Sequence, residues 1–170
     1  MKIETVKKIG DCFLVNKSIH VPVNKNNYHY LLVEKWLKAN KAESEFSEKE
    51  LLESAKAAKV AKINKNCEME IEIGFYSTAT SQKRFYRSNR DDQSNLIGLV
   101  ALNMNSTFKA SASPASEREL IKHTAAQLKK VAKDGAIHKT ALLQQAHLLK
   151  KQVSQSLSVD EVNKIKAKGQ

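Results

Sequence analysis

Apolar positions alternate near the N-terminus and recur at helical spacing further along the chain. Residues 9–23, Ile-Gly-Asp-Cys-Phe-Leu-Val-Asn-Lys-Ser-Ile-His-Val-Pro-Val, predict a β-hairpin with strand-like segments at 12–15 and 18–21 and a turn at Asn16-Lys17. Pro22 cannot donate to a ladder, so the second strand ends there or lies at an edge. After a break at 24–27, a helix is expected over 28–39, with Leu32, Trp36 and Lys35 or Ala39 on one side.

A longer helix opens on a capping box, Ser47-x-x-Glu50, with Phe46 and Leu51 as its hydrophobic staple. Its stripe of Leu51, Leu52, Ala57, Val60, Ile63, Cys67 and Ile71 is narrow, and the helix should run to residue 73, roughly 40 Å. Thin stripes of this length suit a connector or a coiled-coil strand. Two aromatic pairs, Phe75/Tyr76 and Phe85/Tyr86, then flank a polar gap and predict two short extended pieces folded back on each other. Asn89 can cap a helix over 89–104, with Asp91 and Asp92 at the positive end of its dipole. Leu96 and Val100 on that helix are expected to pack against Ile63 or Cys67.

Residues 103–114 read as a Ser/Ala-rich loop anchored by Phe108. Ser116-x-x-Glu119 resembles a second capping box, followed by Ile121, Thr124, Leu128 and Val131, with Gly135 as C-cap. A further helix from residue 136 presents Leu142, Ala146, Leu149, Val153 and Leu157, so the two should form an αα-hairpin. Ser158-x-x-Glu161, with Leu157 and Val162 as staple, starts a last short helix before a polar tail at 164–170. The expected fold is mainly α: a small N-terminal α+β unit (1–46), a connecting helix (47–73), and a C-terminal helical domain (74–170) with an αα-hairpin and a short β-like aromatic insertion.

The stretch GFYS…FYRS…RDDQSNLIGLVAL, followed by HTAAQLKKVAKDGAIHKTALLQQAHLLKKQV, resembles a domain of tailed-bacteriophage and prophage tail proteins. That domain is typically found at the C-terminal end of tail-fibre and related tail components and has no assigned enzymatic activity. The resemblance spans residues 55–160 and rests on Gly74, Phe75, Tyr76, Phe85, Tyr86, Arg90, Asp91, Asp92, Gln93, Asn95 and Leu96, which it implies are structural. It implies a virion protein of the tail fibre, baseplate or fibre attachment, made in the host cytoplasm and held by other tail proteins. Because phage fibres are commonly trimeric, it also implies a homo-oligomer, with a trimer first. An assembly factor absent from the finished particle is the alternative.

At 170 residues the chain holds one moderate domain or two small ones. It has no apolar run of about 18 residues, so membrane insertion is not expected. The N-terminus lacks the apolar core of a signal peptide. Cys12 and Cys67 have no metal-like spacing and read as free thiols. The net charge of +11 admits a nucleic-acid reading, since Lys and Arg release counterions from phosphate. The basic helices carry no Arg-rich strip and no aromatic platform, so a solvated lysine surface is the plainer reading.

Among the candidate chemistry, His20, His29, His123, His138 and His147 include no i, i+4 pair, although His123 and His138 should lie on facing helices. Asp91 and Asp92 are explained by the helix dipole, and Arg87 or Arg90 can pair with them. No Gly-Lys-Ser, GxSxG or HExxH pattern is present, so no enzyme, cofactor or metal is expected. Phe13, Tyr28, Tyr30 and Trp36 are the candidate protein-interaction residues, because Tyr and Trp combine apolar area with a hydrogen-bonding tip, and they make residues 1–46 the expected docking unit.

Overall fold

Asn16 and Lys17 both have positive φ, 49° and 62°, as a type I′ hairpin turn requires. The Ser18 N–H closes that turn on the Val15 carbonyl at 3.1 Å. Around it, in a computed structural model that describes residues 1–43 and 45–166, the chain divides into two units, Met1–Ser54 and Ala55–Gln170.

In the first unit, β1 (Val6–Ile9), β2 (Cys12–Val15) and β3 (Ile19–Pro22) form an antiparallel sheet in that order. Alternation turns Phe13 and Val15 inward, where they meet Val6, Val21 and Val33 of α1 (Tyr28–Leu37) in one buried cluster. The Asn16 side chain ties down the N-terminal segment, accepting from the Glu4 and Thr5 N–H groups and donating to the Lys2 carbonyl. Asn27 caps α1 through bonds from the His29 and Tyr30 N–H groups. Strand β1 was not expected; its two inner residues are lysines, which hid its alternation.

Helix α2 (Glu48–Ile73) begins at the Ser47/Glu50 box, with Glu50 N–H donating to Ser47 Oγ at 3.2 Å and Ser47 N–H to the Glu50 carboxylate at 2.8 Å. The flanking Phe46 and Leu51 remain exposed.

In the second unit, β4 (Phe75–Ser77) pairs with β5 (Arg84–Tyr86), and β6 (Ser106–Ala110) pairs with β7 (Glu119–His123). Reciprocal bonds of 2.8 and 2.9 Å between Phe85 and Ser111 join these two ribbons. Helix α3 (Arg90–Leu102) separates the ribbons in sequence and ends at Asn103, which takes the left-handed conformation at φ 51°. A 31-residue helix, α4 (Ala125–Gln155), is capped by Thr124 and Gln127, and α5 (Val159–Lys164) follows it, capped by Ser158. The main core joins Phe75, Tyr86, Leu96, Phe108, Ala110, Leu128 and Val131. A second cluster sets Ile63 of α2 against Ala146 and Val153 of α4. Lys56 and Lys59 of α2 donate to carbonyls at the ends of α4 and α5, where the helix dipoles favour cations.

Several expectations are overturned. Among the described residues helices account for 52% and strands for 18%, with three small antiparallel sheets, so the fold is mixed α+β rather than mainly α. The αα-hairpin does not exist: Gly135 lies inside the continuous α4. The loop expected at 103–114 contains β6, and the Ser116-x-x-Glu119 box precedes a strand, because Glu119 is drawn into register with Ala110. Leu96 belongs to the aromatic core and not to the Ile63 cluster. Leu157 is exposed and forms no staple. The tail expected at 164–170 lies, beyond Lys166, outside the described residues.

Candidate functional site

Tyr86 stands at the centre of the second unit, fully buried. Its ring stacks on Phe75 at 6.0 Å and on Phe108 at 6.2 Å. Its hydroxyl meets His123 Nε2 at 2.9 Å, while His123 Nδ1 lies 2.8 Å from the Ile121 carbonyl. A carbonyl only accepts, so Nδ1 carries the proton, and in the neutral ring the Tyr86 hydroxyl donates to Nε2. Burial pushes the Tyr86 phenol above its ordinary range, against a lowering influence from Arg84. His123, at the end of β7, is therefore a satisfied core residue; His138 lies on α4, with its ring 6.2 Å from Phe75. The two do not face each other from paired helices.

The neighbouring polar network was not visible in the sequence. Ser77 donates to Asp134 Oδ2 at 2.6 Å, and Lys130 reaches both carboxylate oxygens at 3.1 Å. Burial pushes the Asp134 carboxyl up, but the Ser77 hydroxyl and the Lys130 ammonium outweigh it and hold the group below its ordinary range.

The Asn89–Leu96 block performs a set of intramolecular tasks. Asn89 Oδ1 accepts from the Asp92 N–H at 2.8 Å. Arg90 pairs with Glu68 of α2 at 2.9 Å, and Asp92 with Arg118 at 2.7 Å, in place of the expected pairing within the block. Gln93 donates to the Ser88 carbonyl at 2.6 Å and accepts from Lys139 at 3.1 Å, linking the β5–α3 junction to α4. Leu96 enters the core, while Asp91 and Asn95 face solvent. Gly74, at φ 121°, brings the chain so close to Tyr86 that a β-carbon would collide with its carbonyl oxygen. Tyr76 is half-exposed on the outer side of the ribbon, edge-on to Phe85 at 5.2 Å, with the Lys83 ammonium over its ring.

The four N-terminal aromatics divide. Phe13 lies in the core of the first unit and stacks on Tyr30 at 6.2 Å; Trp36 packs half-buried against the same cluster. Tyr28, 68% exposed, is the one with a largely open ring. Among the described residues no three His, Cys, Asp or Glu side chains are grouped to hold a metal ion. No described helix is long and apolar enough to cross a membrane.

A family model described as a domain of unknown function, DUF4376, matches residues 54–167. The match covers more than half of the chain, spans residues 74–102, and begins one residue before the second unit. No curated protein and no solved structure matches the chain. The chain belongs to the DUF4376 family of domains of unknown function.

Proposed function

We propose that the protein is a structural component of a tailed-bacteriophage particle, at the fibre, baseplate or fibre attachment, acting through protein–protein contacts and not through a reaction. The observation carrying this reading is the use made of the motif. Asn89, Arg90, Asp92, Gln93, Ser77, Asp134 and His123 each make a hydrogen bond or ion pair within the same unit, so these residues work as a scaffold. Large apolar side chains meanwhile remain outside, among them Met69, Ile73, Ile97, Leu102, Ile137 and Leu148. Such side chains gain by being covered in an assembly. The resemblance of the motif to tail proteins supplies the setting, and a homotrimer is the first arrangement to test. Immunoblots of density-banded particles from a producing strain are the test; co-banding is expected. Requirement for assembly without co-banding would favour the assembly-factor alternative.

Charge favours one second reading, a nucleic-acid-binding protein. Residues 55–170 carry 20 basic and 10 acidic groups, against nine and eight in residues 1–54. Binding to duplex DNA that falls steeply with salt would support it.

A further inference from the structure

The chain has 25 lysines and only four arginines. Three arginines form ion pairs: Arg84 with Glu119 at 3.6 Å, Arg90 with Glu68 at 2.9 Å, and Arg118 with Asp92 at 2.7 Å. Arg87 is exposed and forms no ion pair among the described residues. It lines an open groove of about 580 Å³ with Met69, Glu72, Ile73, Phe85, Asn89 and Pro114. Met69 and Ile73 stand one turn apart on α2 and are 51% and 49% exposed, while Phe85 is 4% exposed. Among the described residues no lysine lines this groove. Interface cores are enriched in Met, aromatic residues and Arg and depleted in Lys. Met adapts its shape to what it covers, and Arg offers a planar fork that fits a carboxylate.

We propose that this groove docks a segment of a partner protein that presents an apolar side chain beside a carboxylate. The proposal rests on the protein-contact reading above and gives that contact a place and a chemistry. The apolar side chain lies between Met69, Ile73 and Pro114, over Phe85, and the carboxylate accepts from the guanidinium of Arg87. A second copy is the poorer occupant, because it would bring another strongly basic unit and a second Arg87 to the contact. Glu72 also lines the groove, so the lining carries one cation and one anion; nucleic acid, a run of phosphates, fits it less well than a single carboxylate does.

The test is an NMR titration of the isotope-labelled full chain with a short synthetic peptide containing leucine flanked by glutamates. Two control peptides replace the leucine by alanine or the glutamates by glutamine. Expected are shifts confined to Met69, Ile73 and the Arg87 side chain, and binding weakened about tenfold by either peptide change, by Arg87→Gln or by Ile73→Ser, with Lys62→Gln near parental. Both groove variants alter exposed side chains, and their unperturbed spectra elsewhere establish folding. The proposal is overturned by shifts spread over the lysine faces, by equal losses in Arg87→Gln and Lys62→Gln, or by no shifts at millimolar peptide. It is equally overturned if duplex DNA moves the same resonances, or if they broaden with protein concentration alone, the mark of a second copy. Absence from purified particles would sink the virion reading while leaving peptide binding intact, so the two fail separately.

Discussion

The Phe75 ring lies against Gly135 so closely that a β-carbon there would stand 2.7 Å from its ring tip. A glycine that reads as a helix end in the sequence is thus a notch in the middle of α4 that admits an aromatic ring. At an exposed site Gly135→Ala would raise helix stability by about 1 kcal/mol. Here overpacking costs about 1–3 kcal/mol and should dominate, because the ring is rigid and buried. Thermal denaturation should show a lower Tm for Gly135→Ala, and Phe75→Leu in that background should recover part of the loss. A Tm raised by Gly135→Ala alone would mean the ring moves aside freely.

Gly74 makes a second demand on the chain. Its φ of 121° excludes L side chains at low cost, and a β-carbon would meet the Tyr86 backbone, which cannot yield like a side-chain tip. Gly74→Ala should therefore destabilise by about 1–3 kcal/mol from backbone strain alone. Chemical denaturation is the check, and a parental midpoint would refute the close approach.

Asp134 gives a pH dependence with a definite sign. Its folded carboxyl titrates below its unfolded value, so its contribution is complete above the unfolded range, about 3.9, and is lost as pH falls through the lower folded value. Asp134→Asn should lower stability at neutral pH and flatten the acid limb of the stability profile. Superimposable profiles for the two proteins would exclude the Ser77–Asp134–Lys130 network as a stabilising element.

The Asp92–Arg118 pair, with side chains 14% and 21% exposed, leaves Asp92 Oδ2 and Arg118 Nε buried without a hydrogen-bond partner among the described residues. Removing one member strands the other charge, so Asp92→Ala and Arg118→Ala should each cost about 1–3 kcal/mol. The double variant should cost less than the sum of the two, which a double-mutant cycle measures. Strict additivity would show that the two charges do not interact.

Local signals were legible where a few neighbouring residues suffice. The turn at Asn16-Lys17 and the caps at Ser47/Glu50, Asn89 and Ser158 are each closed by bonds between residues three apart, and the aromatic pairs announced β4 and β5. Glu119 illustrates the opposite case: its local pattern suggests a helix, and only the ladder to Ala110, on the preceding strand, makes it a strand residue. The true box, Thr124 with Gln127, was readable as Thr-x-x-Gln but lay inside a helix already assigned. Tyr86 with His123, Ser77 with Asp134 and Asp92 with Arg118 are separated by 37, 57 and 26 residues, so composition and spacing carry no trace of them. Arg87 stands out only once the other three arginines are seen to be paired.

We propose that the protein is built into a particle through protein contacts. Quantitative mass spectrometry of purified tailed particles tests it most directly, comparing a strain that produces the full chain with one that produces residues 47–170 alone. The full chain is expected in the particles at a fixed copy number, and the truncated chain folded in the lysate yet missing from them. Particles free of the full chain would contradict the claim, and incorporation of the truncated chain would remove the N-terminal unit from the docking role.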